Sequence, residues 1–332
     1  MPAAELDETD RQIAAALIRD GRASWRAIAE VLGQQERTVA RRGKRLFATG
    51  AVRIHALANP SVLNDADAYL LRVDARPADV RAIGRWLAER EQTLWVSALA
   101  GSSSCVAEIF LPRGTLGATL YDDVAGLEGV RDVALRPLVR HHRTVSGWRP
   151  DVLSAEQYLA LSPDEDASRA TLRPPGGEPL DEGNRALVDL LRRHGRATLE
   201  ELAAGTGLAK ATVSRRLDGL TASGALFIRA VLDPATLGYP VEALVELECR
   251  IGALDDVGRA VAELPSTRWA ASTGERIVVQ SALAGVTDLE RTLARLGGLD
   301  GVTAVRSSLY AEIFKRSSTV YVDGVLPPAV SA

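Results

Sequence analysis

The chain has 332 residues, which is about twice the length of a typical domain, so we expect at least two separate cores. Apolar residues make up 46% and charged residues 25% of the sequence, as in an ordinary soluble globular protein, and the net charge of −3 does not by itself favour a polyanionic partner. No apolar run approaches the roughly 20 residues of a membrane helix, the N-terminus lacks a signal-peptide pattern, and two cysteines are too few for a disulfide framework or a metal cluster. We therefore expect a cytoplasmic protein without a metal or another cofactor.

Residues 1–60 predict three helical segments followed by a short strand. The third segment is strongly basic, because the stretch from Glu36 to Arg53 contains six basic residues and one acidic residue. The overall acidity of the chain therefore hides a local basic patch, which is the charge pattern of a domain that contacts nucleic acid.

Residues 61–146 follow the order β-α-β-β-α-β, which is typical of a ferredoxin-like split βαβ sandwich. The predicted strands are Ala68–Asp74, Thr93–Leu99, Ser104–Leu111 and Val130–Arg140, and the predicted helices are Ala78–Glu89 and Gly114–Ala125. Residues 147–178 predict a connection, with a short capped helix over Ser154–Leu161 and then a linker rich in proline, glycine and acidic residues.

Residues 179–234 again predict three helices and a strand. Asp181 can cap the first helix, and Thr198 with Glu201 forms a capping box at the start of the second. The third helix runs from about Ala209 to Ser223, and the strand after Gly224 reads as a wing. Two helices around a tight turn, the second with basic and hydroxyl side chains directed outward, predict a helix-turn-helix.

Residues 235–323 repeat the β-α-β-β-α-β order of residues 61–146. The predicted strands are Glu242–Arg250, Arg268–Ser272, Arg276–Leu283 and Val302–Ile313, and the predicted helices are Leu254–Leu264 and Val286–Leu296.

The two halves of the chain are copies of one unit. An offset of 174 residues aligns residues 6–60 with residues 180–234 without a gap, and about 22 of these 55 pairs are identical. Identical pairs include Gly21-Arg22-Ala23 with Gly195-Arg196-Ala197, and Arg41-Arg42 with Arg215-Arg216. The predicted fold is therefore α+β, with two winged helix-turn-helix domains alternating with two ferredoxin-like domains.

The segment LDETDRQIAAALIRDGRASWRAIAEVLG, which starts at Leu6, resembles the opening of leucine-responsive/AsnC-like (Lrp/AsnC) transcription regulators. The segment from Leu180 to Pro240 is similar to the same family almost throughout. The resemblance covers nearly the whole chain apart from residues 147–178. It implies that each copy has a DNA-binding helix-turn-helix followed by an effector-binding and oligomerisation domain. Ordinary members carry one such unit per chain, so two units are a departure.

The resemblance implies that the third helix of each helix-turn-helix enters the major groove of double-stranded DNA, where its N-terminal residues read base edges and flanking basic groups hold phosphates. The predicted DNA-binding residues are Arg37, Thr38, Arg41, Arg42, Lys44 and Arg45 in copy one, and Lys210, Thr212, Ser214, Arg215 and Arg216 in copy two. Because the outward residues differ between the copies, we predict an asymmetric operator. Gly43 stands where copy two has Leu217, and it is expected to cost the helix interior about 1 kcal/mol.

In the family that the chain resembles, small effectors, often amino acids, bind near the turn between the second and third strands. The corresponding candidate residues are Gly101, Ser102, Ser103 and Ser104 in copy one, and Thr273, Gly274 and Glu275 in copy two. Family members often have an aspartate at the end of this turn, but Ser104 and Ile277 stand there, so Glu275 is the remaining substitute. The resemblance also implies self-association of these domains, as a pseudo-dimer within one chain or as a homo-oligomer.

Two other functions stay open. Similar folds occur in siroheme decarboxylases, and His141 and His142, predicted at a strand end among Arg136, Arg140 and Arg143, could face an anionic ligand. The winged helices could instead serve protein contacts only, with their arginines as a solvated face. The sequence has no phosphate-binding loop, zinc-ligand spacing or nucleophile elbow. We therefore predict a regulator, not an enzyme.

Overall fold

The computed structural model describes residues 6–63, 66–161, 181–322 and 326. The described residues form two compact units, of which the first contains both helix-turn-helix domains and the second contains both β-α-β-β-α-β domains. The predicted linker over residues 162–178 and the predicted end of the last domain at residue 323 lie outside the described residues. In the described part of the chain, no helix is both long and apolar enough to cross a membrane, and no three histidine, cysteine or carboxylate side chains are grouped to hold a metal ion.

The first unit consists of two three-helix domains, each with a wing strand, and a few short helices. Its elements are α1 (Glu8–Arg19), α2 (Trp25–Leu32), α3 (Glu36–Ala48), β1 (Arg53–Ala58), α4 (Pro60–Leu63), α6 (Ala155–Leu161), α7 (Glu182–Arg193), α8 (Leu199–Thr206), α9 (Lys210–Ala222) and β7 (Leu226–Val231). The predicted caps are present: Asp181 accepts the Asn184 N–H at 2.7 Å, and Thr198 and Glu201 form the capping box. The short helix α6 packs against α1 and α2, and its Tyr158 is buried.

The two wings pair with each other instead of staying with their own domains. β1 and β7 form a two-stranded antiparallel sheet, in which Arg53 lies opposite Val231 and Ala58 opposite Leu226. Ala56 of β1 is fully buried in the core of the copy-two domain, next to Leu187 and Leu191. The core of the copy-two domain therefore includes β1 of copy one, and β7 of copy two packs against α1 of copy one.

Arg22 and Arg196, which occupy equivalent positions in the two copies, lock the helix-turn-helix domains together. Arg22 donates to the carbonyl oxygens of Gly195 and Ala197, both at 3.0 Å. Arg196 donates in the same way to Gly21 at 2.7 Å and Ala23 at 2.9 Å. Burial lowers the pKa of both guanidinium groups, but an arginine stays charged at neutral pH, so these are charge-assisted hydrogen bonds. The first unit is thus an intrachain pseudo-dimer.

The second unit is built on one ten-stranded sheet. Its elements are β2 (Ala66–Ala75), α5 (Val80–Glu89), β3 (Thr93–Leu99), β4 (Ser104–Pro112), a π-helical segment (Ala118–Val124), β5 (Val130–Pro137), β6 (Arg140–Arg143), β8 (Val241–Cys249), α10 (Leu254–Ala262), β9 (Thr267–Ser272), β10 (Arg276–Leu283), α11 (Val286–Gly297), β11 (Val302–Arg316) and β12 (Thr319–Val320). The strand order is β5-β2-β4-β3-β11-β8-β10-β9-β6, with β12 beside β11.

The last strand of each copy crosses over to the other copy. The first part of β11 pairs with β8 of its own copy, and the part from Tyr310 onward pairs with β3. In copy one the predicted strand Val130–Arg140 is wrong as a single element. β5 pairs with β2 and ends at Pro137, which has no N–H to donate. A second strand, β6, then pairs with β9. The predicted helix Gly114–Ala125 is likewise shorter, because only residues 116–124 are helical, with Ala118–Val124 as the π-helical part.

One face of the sheet packs against α5, α10 and α11, and the other face carries buried charged groups. Glu242 contacts Arg268 at 2.9 Å and also pairs with Arg316. Burial opposes the charge of Glu242, but the two guanidinium groups outweigh it, and the net effect lowers the pKa of this carboxyl. Arg72 and Glu246, 3.3 Å apart, connect the two copies on the same face. Of these ion pairs, the one between Arg72 and Glu246 joins the two ferredoxin-like domains, and those of Glu242 lie within copy two.

Candidate nucleic-acid interface

In α3, three of the predicted DNA-binding residues lie on one outward face. Val39, Gly43 and Leu46 are buried against the domain core. At 100° per residue, Arg37, Arg41 and Lys44 lie on the opposite side of the helix, and all three are exposed. No acidic residue is on this face, so α3 presents a row of three cations along its exposed length.

Arg42 and Arg45, two of the other three predicted contacts of α3, instead point toward the start of α1. Arg42 contacts Asp7 at 2.6 Å and Asp10 at 3.0 Å, and Arg45 also pairs with Asp10. The backbone N–H of Asp10, and then Arg42, hold the pKa of the Asp7 carboxyl below its ordinary value. The structure therefore gives Arg42 a partner within its own domain, and the half-buried Thr38 lies on the same flank of the helix.

In copy two, the equivalent Arg216 contacts Asp181 at 2.6 Å and the Asn184 side chain at 2.9 Å. The ion pair between α9 and the cap of α7 thus repeats the one between α3 and α1. The signal was available in the sequence, because the aspartate and the arginine stand 35 residues apart in both copies.

The outward face of α9 carries less positive charge than that of α3. The positions equivalent to Arg37, Arg41 and Lys44 are Ala211, Arg215 and Asp218, and all three are exposed. Of the other predicted contacts, Lys210 forms an exposed ion pair with Glu200, while Thr212 and Ser214 are half-buried. Arg215 is therefore the one cation on the centre of this face.

The glycine inside α3 has a packing reason that the sequence did not reveal. A Cβ atom at Gly43 would lie 2.3 Å from the ring of Trp25. The Trp25 ring in turn lies 5.8 Å from the Phe47 ring, and the Arg196 guanidinium sits 4.6 Å over it. Copy two has leucine at both equivalent positions, Leu199 and Leu217, so the two copies solve the same contact with different residue pairs.

The two turns predicted to bind an effector differ in charge. In copy one, Ser104 Oγ donates to Asp74 Oδ1 at 2.5 Å and contacts Ser102 Oγ at 2.9 Å, while Gly101 and Ser103 have positive φ angles. A carboxylate thus reaches this turn from the neighbouring strand β2, and sequence reasoning missed it because it searched the turn alone.

In copy two, Thr273 is buried, and Gly274 has a φ of 91°. Glu275, the carboxylate predicted as a substitute, lies 3.8 Å from Arg136 and 3.7 Å from Arg276. Two cations therefore neutralise this side chain.

The two adjacent histidines are enclosed. His141 Nε2 lies 2.7 Å from Glu108 Oε1, and its ring packs edge-on against Trp269 with a centroid distance of 5.3 Å. His142 packs on Gly258, and burial lowers its pKa to about 4. Arg140 pairs with Asp255, and Arg143 donates to backbone carbonyls. These histidines and arginines therefore have separate partners and do not face a common ligand.

Comparison with known proteins agrees with this architecture. The model of the AsnC-type helix-turn-helix domain matches twice, at residues 6–46 and 180–221. The HTH-type transcriptional regulator FL11 of Pyrococcus horikoshii is 27% identical over 143 residues, which are 42% of this chain and 95% of that protein. An uncharacterized HTH-type transcriptional regulator of Pyrococcus furiosus is 30% identical over 128 residues, which are 38% of this chain and 86% of that protein. The chain belongs to the Lrp/AsnC family of transcription regulators.

These relatives match less than half of this chain while nearly all of their own length is covered, as expected if the chain contains two family units. Over its whole length, the chain is similar to the solved structure of the siroheme decarboxylase NirDL, with a TM-score of 0.60 and 13% identity, covering 98% of this chain and 95% of that chain. At this identity the likeness concerns the fold.

Proposed function

We propose that this Lrp/AsnC-type regulator binds double-stranded DNA sequence-specifically, with α3 as its principal contact. The observation that carries the proposal is the outward row formed by Arg37, Arg41 and Lys44, opposite the buried stripe of the same helix. Arginine can donate two hydrogen bonds to guanine, and lysine and arginine also neutralise phosphates. Arg42 and Arg216 position their helices on α1 and α7, and they are not assigned base contacts.

The two helices are proposed to bind unlike half-sites. Where α3 has Arg37 and Lys44, α9 has Ala211 and Asp218, so a carboxylate faces outward on the second helix. A carboxylate is repelled by phosphate and can accept a hydrogen bond from the cytosine amino group. The copy-one half-site should therefore contribute most of the salt-sensitive affinity, and the copy-two half-site should add selectivity through Arg215.

Selection of bound fragments from genomic DNA, followed by mobility shifts in a salt series, tests this proposal. Arg41→Ala and Arg215→Ala should each weaken binding at a different part of one site, by about 1–3 kcal/mol for a base contact, or lower the salt slope by about one for a phosphate contact. Arg85→Ala is the matched control, because Arg85 is exposed in the second unit, outside both recognition helices. Failure to select any fragment, or equal binding by all three variants, would favour a protein-contact role for the winged helices.

We also propose that the copy-one turn is the effector site. Asp74, Ser102 and Ser104 form a polar cluster there, and the carboxylate suits the ammonium group of an amino acid. The copy-two turn is not proposed, since Arg136 and Arg276 neutralise Glu275. A thermal-shift screen with the natural amino acids should find a stabilising compound whose effect disappears in Asp74→Asn. No stabilisation by any of them would leave these domains a purely structural role.

A decarboxylase-like activity is not favoured, although the overall fold is similar to that of NirDL. An acid–base mechanism needs groups that can reach a substrate, whereas the side chains of His141 and Glu108 are 2% and 0% exposed and are paired with each other. Anaerobic incubation with siroheme, followed by analysis of the tetrapyrrole, tests this point, and loss of carboxyl groups would contradict it.

We further propose that one chain is the minimal DNA-binding unit, because β1 pairs with β7 and Arg22 with the Arg196 loop inside one chain. Light scattering of the protein–DNA complex measures this stoichiometry. Two chains on a minimal site would contradict the proposal.

A further inference from the structure

A cleft of about 500 Å³ lies in the first unit, where the two helix-turn-helix domains meet. Small-molecule sites occupy clefts of about 300–1,000 Å³. Copy one contributes the end of α3 and the start of β1, and copy two contributes the end of α7, the loop after it and part of α8. Any molecule in the cleft therefore touches both domains at once, including the last turn of a recognition helix.

The walls of the cleft combine apolar side chains with an excess of positive charge. Apolar residues Phe47, Ile54 and Leu202 line it, together with Arg53 and Arg193. Arg193 makes no ion pair or hydrogen bond with the described residues, and its side chain is exposed to the cleft mouth.

The other charged groups of the cleft are Arg196 and Glu201. Arg196 is held by the backbone carbonyls of copy one, and the carboxylate that acts on its charge, Asp20, does not line the cleft. Glu201 is occupied by its capping box, where it accepts the Thr198 N–H at 2.7 Å. Among the residues that line the cleft there are thus three guanidinium groups and one carboxylate.

This chemistry is particular to one side of the pseudo-dimer. With the 174-residue offset, Arg53 corresponds to Phe227, Phe47 to Thr221, and His194 to Asp20. Arg193 and Arg196 correspond to Arg19 and Arg22, and Glu201 corresponds to Ala27. The symmetry-related position therefore loses one of the three guanidinium groups and has Asp20 as its carboxylate. The third guanidinium group, from Arg53, and the aromatic ring of Phe47 are therefore particular to this cleft and are not a by-product of the repeated fold.

We propose that the cleft binds a small carboxylate with an apolar body, and that the bound ligand controls the placement of the two recognition helices. The carboxylate meets Arg193 and Arg53 near the mouth, and the apolar body packs against Phe47 and the half-buried Leu190, which also lines the cleft. The second half of the proposal rests on the DNA-binding function proposed above, but the first half does not.

Ligand binding is tested on the full chain without DNA. Phenylacetate, indole-3-acetate and octanoate are the probes, their uncharged amides are the comparison compounds, and binding is followed by saturation-transfer difference NMR and titration calorimetry. At least one carboxylate should bind, with its amide about tenfold weaker or more, and Arg193→Gln should weaken that carboxylate by about tenfold or more. Arg192→Gln removes a neighbouring exposed cation that does not line the cleft, and it should leave binding unchanged.

The result that overturns the site is binding by none of the three carboxylates, or binding that Arg193→Gln leaves unchanged. The regulatory half is then tested by repeating the mobility shift with the carboxylate that binds. A change of threefold or more in DNA affinity, absent in Arg193→Gln, supports it, and a smaller change overturns it. Because the ligand-free mobility shift is measured separately, failure of DNA binding and failure of the cleft are distinguishable.

Discussion

Gly43→Ala in α3, compared with Gly219→Ala in α9, separates helix propensity from packing. Both glycines lie inside a recognition helix, where alanine is about 1 kcal/mol more favourable than glycine. Their surroundings differ, because a Cβ at Gly43 would lie 2.3 Å from the Trp25 ring, whereas a Cβ at Gly219 meets no atom within 4 Å. Helix propensity alone predicts that both substitutions raise the free energy of unfolding equally. Packing predicts that Gly43→Ala lowers it and Gly219→Ala raises it.

The magnitude follows from how tightly the Trp25 ring is held. Phe47 at 5.8 Å and the Arg196 guanidinium at 4.6 Å keep the ring from moving away without loss of these contacts. Overpacking a filled site costs about 1–3 kcal/mol. After the propensity gain of about 1 kcal/mol, Gly43→Ala should lower the free energy of unfolding by up to about 2 kcal/mol, while Gly219→Ala should raise it by about 1 kcal/mol.

Urea denaturation followed by far-ultraviolet circular dichroism measures both effects, and Trp25→Leu supplies the control. In the Trp25→Leu background the obstructing ring is absent, so Gly43→Ala should there become stabilising by about 1 kcal/mol, and the double-mutant cycle should report the coupling. If Gly43→Ala stabilises the wild-type protein as much as Gly219→Ala does, or if its effect is independent of residue 25, the packing argument is refuted.

Three further outcomes are expected. Arg22→Gln removes two charge-assisted hydrogen bonds between the helix-turn-helix domains, so it should lower the free energy of unfolding by about 1.5–3 kcal/mol, and an unchanged urea midpoint would contradict the pairing. Burial, followed by the Arg192 charge, lowers the pKa of His55 to about 4, so protonation favours the unfolded chain. The contribution of neutral His55 to the free energy of unfolding is therefore present above pH 6.5 and lost toward pH 4. From pH 7 to 5 the free energy of unfolding of the wild type should fall by about 2 kcal/mol more than that of His55→Gln. Finally, Arg42→Gln should lower the free energy of unfolding by about 1–2 kcal/mol and leave the salt slope of DNA binding unchanged. Arg41→Gln should lower the salt slope and leave the free energy of unfolding unchanged. If either substitution changes both properties, that division of roles is wrong.

The features that the sequence predicted correctly are those that depend on neighbouring residues. Asp181, Thr198 and Glu201 act on backbone groups within three positions, and the stripe of apolar side chains at i, i+4 and i+7 determines which face of α9 is buried. Such signals are complete within one segment, so both helix-turn-helix domains and the order of strands and helices could be predicted from the sequence.

The features that the sequence did not predict depend on which strand or helix lies opposite. The carboxylate of Asp74 reaches the copy-one turn only because β2 pairs with β4, which places it opposite Ser104. The break between β5 and β6 coincides with a change of partner strand from β2 to β9, which the segment alone does not specify. Gly43 is unfavourable by helix propensity alone, and the Trp25 ring that explains it lies 18 positions earlier in the sequence. Each of these features depends on a pairing between segments that the sequence of neither segment specifies on its own.

Comparison of the two copies helps to separate structural residues from recognition residues, although Arg41 and Arg215 on the outward face are also identical. Where the copies are identical, as at Arg22 and Arg196 or at Arg42 and Arg216, the side chains hold one domain or pair two domains. Where the copies differ along the outward face, as Lys44 differs from Asp218, no packing contact requires either residue. A regulator that pairs two identical chains must place the same helix in both half-sites, because every substitution appears twice. Pairing inside one chain removes that constraint, since α3 and α9 can change independently while the contacts between their domains are kept. The unequal charge of the two helices is therefore a consequence that the tandem arrangement permits, and it is the physical basis for expecting an operator without two-fold symmetry.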